Sequence, residues 1–164
     1  MIILGIDPGY AIVGYGIIEK KNSFVKALDY GAITTNKDEN MADRLLKIYY
    51  AIKSLVQKHN PDAIAIEELF FKNNAKTAIN VAQARGAIIV AGKEMGKAIY
   101  EYTPLQIKQA LTGVGRAEKQ QVQYMVKAVL NLSSVPKPDD TADALAVAIT
   151  HSQTNQILGR NEIK

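Results

Sequence analysis

Hydrophobic and polar positions along the chain change period several times, and each change marks an element. Residues 2–7 (IILGID) form a short apolar run closed by an acid, the pattern of a buried strand. Residues 12–19 (IVGYGIIE) and 24–33 (FVKALDYGAI) predict two more strands, with Lys20, Lys21, Asn22 and Ser23 as the polar turn between them. From Met41 the period lengthens to that of a helix: Met41, Leu45, Ile48, Ile52, Leu55 and Val56 make one stripe. Asn40 can cap this helix, and Asn60-Pro61 ends it. Residues 62–67 (DAIAIE) predict a central strand, 74–93 a second helix and 99–102 a fifth strand. Pro104 opens a short helix to about Leu111, the loop TGVGRAEK follows, and Val122, Met125, Val126 and Val129 mark a helix over 118–131. Pro136 and Pro138 punctuate the gap before a last helix, 139–152. The order βββαβαβ followed by helices predicts an α/β fold, a five-stranded mixed sheet flanked by helices.

Composition narrows the class without fixing it. A chain of 164 residues fits one domain, here 1–153, with 154–164 expected as a flexible C-terminal tail. With 48% hydrophobic and 22% charged residues it is globular rather than disordered. The absence of cysteine excludes disulfides and thiolate zinc sites. No leader and no apolar stretch of the ~18–20 residues that span a bilayer is visible, so a soluble, cytoplasmic protein is expected. The net charge of +4 is a mild excess. It becomes informative only if acids are pooled in one place, which would leave the remaining surface more basic.

The acids do fall at telling positions. Asp7 ends the first strand, just before Pro8-Gly9, at a sheet edge where ligands collect in α/β folds. Taken alone it would serve equally well to cap the turn. Glu67 and Glu68 end the strand DAIAIE; they point to opposite faces, and spacing does not say which one joins Asp7. Asp140 and Asp143 lie three apart at the start of an otherwise apolar helix, so they share a face. Such acids also suit a helix N-terminus through its dipole, and Asp139 or Asp140 could be the N-cap. Taken together, three segments each deliver an acid to the end of a hydrophobic element. If they converge, their repulsion calls for a cation, and a hard oxygen donor set selects Mg²⁺ or Mn²⁺. A pair of such ions is suited to in-line attack on phosphorus.

Basic and aromatic residues suggest the partner. In LFFKNNAK, Phe70 and Phe71 are candidates to stack on bases, one of them being more at home in the core, and Lys72 and Lys76 to contact phosphate. Lys108, Arg116 and Lys119 surround the glycine-containing loop TGVGRAEK. His59 and His151 stand alone and read as packing or surface residues. The small residues Ala75, Ala78, Ala82 and Gly86 of helix 74–93 offer a face for close approach of a second chain.

GIDPG at 5–9, GYG at 14–16, AIEELFF at 65–71, AQARG at 82–86, KQALTGVGRAEKQQV at 108–122 and DDTADALAVAITH at 139–151 together resemble the RuvC-type crossover junction endodeoxyribonucleases, the Holliday junction resolvases. The resemblance covers nearly the whole chain. It implies a ribonuclease H-like fold and a homodimer that cuts opposing strands of a four-way junction. It further implies Asp7, Glu67, Asp140 and Asp143 as the Mg²⁺-binding catalytic set, two ions per site with Mn²⁺ able to substitute. Glu67 is thereby chosen over Glu68, and Asp139 is set aside. Phe70 matches an aromatic residue that meets bases near the crossover, and Lys108 and Lys119 match residues that handle the scissile strand. Association with the RuvA–RuvB branch-migration complex is a further implication of the resemblance. A sugar kinase or actin-like ATPase also opens on a strand, Asp and Gly, but needs two such domains.

Overall fold

Strands β1 (Ile2–Asp7), β2 (Ile12–Lys21) and β3 (Phe24–Thr34) form an antiparallel meander. In this computed structural model, which describes residues 1–69, 75–154 and 161–163 (75 and 76 by backbone alone), helix α1 (Met41–His59) follows. Then come β4 (Ala63–Glu67), α2 (Ala75–Glu94), β5 (Ala98–Tyr102), α3 (Pro104–Thr112), α4 (Lys119–Val129) and α5 (Asp139–Gln153). The strand order is β3-β2-β1-β4-β5, with β4 parallel to both β1 and β5. This is the ribonuclease H-like mixed sheet that the resemblance implies. No helix of the described residues is long and apolar enough to cross a membrane.

Alternation along the central strands sends side chains into two cores. Leu4, Ile6, Ile64 and Ile66 pack with Ile48, Ile52 and Val56 of α1 and Ala84, Ile88 and Ala91 of α2. Ile3 and Ala65 face the other way, against Leu145, Ala148 and Ile149 of α5 and Ile107 and Val126 of α3 and α4. Each buried Ile or Leu is worth about 1.5–3 kcal/mol of transfer free energy, so two such layers fix the strand register firmly. Helix ends follow local chemistry. Asn40 accepts from the Asp43 amide at 3.0 Å, and Asn60 closes α1 in the left-handed region. Thr103 and Gln106 form a capping box at α3. The expected acidic cap of α5 is not used. Pro138 takes that position, and Asp139, bonded by Lys137 at 2.6 Å, lies in the first turn.

Within the stretch expected as a flexible tail, Asn161 to Ile163 lie along β5. The Glu101 amide donates to the Asn161 carbonyl and the Ile163 amide to the Ile99 carbonyl, both at 2.8 Å. The open edge of β5 offers unpaired backbone groups, which the returning chain satisfies.

His151, near the end of α5, is fully buried beside Tyr100, with its Nδ1 2.7 Å from the Tyr102 hydroxyl. Burial lowers its pKa from 6.5 to about 4. The ring is therefore neutral in the fold, and stability present above pH 6.5 is lost as pH falls towards 4, by roughly 3 kcal/mol at most. His151→Gln is expected to melt lower than wild type at pH 7 but with a shallower decline between pH 6.5 and 4. Equal acid slopes in thermal melts of the two proteins would show that His151 does not drive the decline.

Candidate active site

The parity that builds the cores also aims the acids. Ile3, Gly5 and Asp7 of β1 share the α5 side of the sheet, as do Ala65 and Glu67 of β4. The parallel register pairs Gly5 with Ala65 and Ile6 with Ile66, and one further step sets Asp7 beside Glu67. Glu68 takes the opposite parity. Its amide donates to the Tyr102 carbonyl at 2.9 Å, carrying the ladder past the end of β4. Register thus sets Glu67, and not Glu68, on the side of the sheet that Asp7 faces.

Helix α5 brings the other two acids to the same end of β1. It lies directly on a strip of glycine backbone, Gly5, Gly14 and Gly16. A Cβ built on Gly14 would stand 1.9 Å from the Asp140 carbonyl oxygen, and one on Gly5 would stand 2.2 Å from that of Ala144. No charge or hydrophobic period in the chain marks these glycines. Their signal is Gly-x-Gly inside a strand, with Gly14 opposite Asp7 and Gly16 opposite Gly5 in the antiparallel register.

The turn after Asp7 is anchored from α1. Arg44, buried at a stripe position one turn before Ile48, donates through Nε to Thr35 Oγ1 at 2.8 Å and through a terminal nitrogen to the Tyr10 carbonyl at 3.3 Å. Its guanidinium stacks on the Tyr10 ring at 3.5 Å. Thr35 Oγ1 donates to the same carbonyl at 2.7 Å. The signal of this anchor in the sequence is a basic residue in phase with an apolar stripe.

Electrostatically Asp7 feels the other three acids. Burial first, then the charges of Glu67, Asp143 and Asp140, push Asp7 up from 3.8 to about 8, with Lys119 opposing. Burial and Asp143 raise Glu67 from 4.5 to about 7 against Lys119 and Lys108. Burial also raises Asp143, with Lys119 again opposing. Lys119 Nζ lies 2.9 Å from Asp143 Oδ2 and 3.6 Å from Asp139 Oδ2. Among the described residues, however, no three His, Asp or Glu side chains stand as a ready-made cage for one metal ion. A lysine ammonium already sits on one of the acids, Asp143. The donor set itself, several hard carboxylates enclosed at one sheet end, suits a divalent cation of the Mg²⁺ class.

A cleft of about 240 Å³ opens on this cluster, lined by Glu67, Asp143, Lys108, Lys119 and the apolar walls Ile107 and Val122. Lys108 and Lys119 are thus brought to the acids. Arg116 is exposed in the loop between α3 and α4 and does not line the cleft. Phe70 and Lys72, and the side chain of Lys76, lie outside the described residues. His59 is a packing residue, bonded to Asp29 at 2.9 Å.

Comparison with known proteins gives this site its context. Residues 3–151 match the model of the family described as crossover junction endodeoxyribonuclease RuvC. The crossover junction endodeoxyribonuclease RuvC of Clostridioides difficile is 59% identical over 157 residues, covering 96% of this chain and 93% of its own. That of Alkaliphilus oremlandii is 54% identical over 164 residues, the full length of both chains. The structure of Thermus thermophilus RuvC in complex with Holliday junction substrate superposes with a TM-score of 0.93 at 35% identity, covering 99% of each chain. A likeness in fold alone, at 16% identity and a TM-score of 0.67, extends to the yeast mitochondrial Holliday junction resolvase Ydc2, of which 76% is covered. Sequence and fold together show that the chain belongs to the RuvC family of crossover junction endodeoxyribonucleases.

Proposed function

We propose that this chain resolves Holliday junctions in homologous recombination and DNA repair, by paired symmetric incision of opposing strands, with Asp7, Glu67, Asp140 and Asp143 as its cation-binding catalytic carboxylates. The observation that carries the proposal is their coupling at one end of the sheet, beside a cleft that also holds Lys108 and Lys119. Two Mg²⁺ ions, replaceable by Mn²⁺, would supply Lewis acidity at the scissile phosphate. The chain's own residues do the rest. Asp7 and Glu67, with pKa values near 8 and 7, retain protons near neutrality in the metal-free protein, so cation binding is accompanied by proton release. Lys108 and Lys119 draw the phosphate into the cleft, between the apolar walls Ile107 and Val122. Arg116, Lys72 and Lys76 extend the basic track along the DNA backbone, and Phe70 stacks at the crossover.

The active unit in this proposal is a homodimer, since a junction of near two-fold symmetry presents two like strands to two like sites. Of the small residues of α2 expected at the interface, Ala82 and Gly86 are exposed, Ala78 is half-buried and the side chain of Ala75 lies outside the described residues. In support, Ile79 and Val90 are exposed on the same side as Ala82 and Gly86, and a Cβ on Gly86 would meet nothing within 4 Å. The nuclease domain is residues 1–153, with 154–164 as a C-terminal extension. It acts in the cytoplasm with the RuvA–RuvB complex, the setting that goes with its family. With Mg²⁺ or Mn²⁺, the purified protein is expected to nick mobile four-way junctions symmetrically and to leave linear duplex intact. Equal cutting of structured RNA, or cutting that survives a chelator, would overturn the proposal.

A further inference from the structure

Lys119 is the first residue of α4 and Asp139 the first of α5, and the two helix starts meet over the carboxylate cluster. The lysine ammonium spans two acids of different character. Asp143, 2.9 Å away, is an inner carboxylate with 24% of its side chain exposed; Asp139, at 3.6 Å, is an outer one with 44% exposed. Asp139 is itself fixed, bonded by Lys137 at 2.6 Å and faced by the Gln123 amide without a formed hydrogen bond. An ammonium resting on Asp143 covers an oxygen that an incoming cation needs, and the two positive charges repel. A lysine stem is flexible enough to swing its head between acceptors this close.

We propose that Asp139 is a positioning residue that receives Lys119 when a divalent cation takes Asp143, a reading that rests on the cation-binding role proposed above. In the metal-free protein Lys119 is the resident counter-ion of the cluster. Cation entry moves it outward to Asp139, which keeps it at the rim of the cleft where a phosphate passes. Asp139 thereby assists cation binding through Lys119 and touches neither cation nor substrate.

Calorimetric titration of the full-length, DNA-free protein with Mn²⁺ tests this. Lys119→Met removes the competitor and is expected to tighten binding. Asp139→Asn is expected to weaken it about threefold to tenfold, and Asp139→Glu to restore it. In the Lys119→Met background, Asp139→Asn should change nothing. Equal weakening by Asp139→Asn with and without Lys119 would reduce its role to long-range charge and overturn the proposal, as would no weakening in either background. If Asp7→Asn leaves Mn²⁺ binding unchanged, the carboxylate reading fails first and this one falls with it. Melting curves of each variant establish that the titrated protein is folded.

Discussion

Asp7→Asn is expected to abolish junction cleavage, leave junction binding intact and stabilise the metal-free protein at pH 8. The first effect follows from Asp7 lying at the centre of the coupled carboxylates, and a loss of about three orders of magnitude or more is expected. The second follows because Asp7, neutral without a cation and reaching phosphate only through one, offers DNA no direct attraction that asparagine would remove. The third is a matter of linkage. In the unfolded chain this carboxyl ionises near 3.8, whereas in the fold it holds its proton to about 8. Its contribution to stability is whole below pH 3.8 and is lost as pH rises through 8. By pH 8 the cost to wild type is on the order of a few kcal/mol, discounted for the group's partial access to solvent. Asparagine carries no such cost, and at ~2 kcal/mol the melting temperature would rise by about 4–8 °C. At pH 4 the two proteins should melt alike. Mn²⁺ should raise the wild-type melting temperature and move that of the variant much less. A variant that cuts at the wild-type rate, or melts like wild type at pH 8, would sink the assignment.

Much of this site was legible in the chain because its logic is local. A strand ending in an acid, an apolar helix opening with two acids, and the periods that separate the elements are all features of neighbouring residues. The sheet order was not local. Nothing within DAIAIE says that it pairs with β1 in the register Ile3 to Ala63, and without that register Glu67 and Glu68 are equivalent. Family resemblance points to Glu67; in the structure Glu67 shares the parity of Gly5 and Asp7, and Glu68 does not. Arg44 escaped for a related cause. Its partners Thr35 and Tyr10 come from a strand end and a turn that α1 meets only in three dimensions. Lys119 is expected from the resemblance to handle the scissile strand, but its hold on Asp143 depends on the starts of two helices meeting in three dimensions.

The glycines were the least legible part, and they carry the second large expectation. Gly14→Ala should cost both stability and catalysis, although residue 14 is neither acidic nor in a turn. Its Cα faces the start of α5, and the added Cβ would lie 1.9 Å from the Asp140 carbonyl oxygen, 2.4 Å from the carbonyl carbon and 3.1 Å from the Asp140 Cβ. Real contacts to a Cβ seldom fall below about 3.4 Å, so backbone must move by more than an ångström, and backbone does not yield as a side-chain tip does. Two motions are open. The strand can bend, which breaks its pairing with β1 beside Asp7, or the first turn of α5 can lift, which carries Asp140 and Asp143 away from Asp7 and Glu67. Either motion separates the carboxylates. Overpacking of this kind costs about 2–4 kcal/mol. Misplacement of a reacting constellation by about 1 Å costs roughly 10²-fold in rate. Gly14→Ala is therefore expected to melt well below wild type and, at a temperature where it is fully folded, to cut junctions about a hundredfold more slowly with little change in junction affinity. Full activity in the folded variant would mean that α5 has slack above β2, and that the spacing of the acids is set elsewhere.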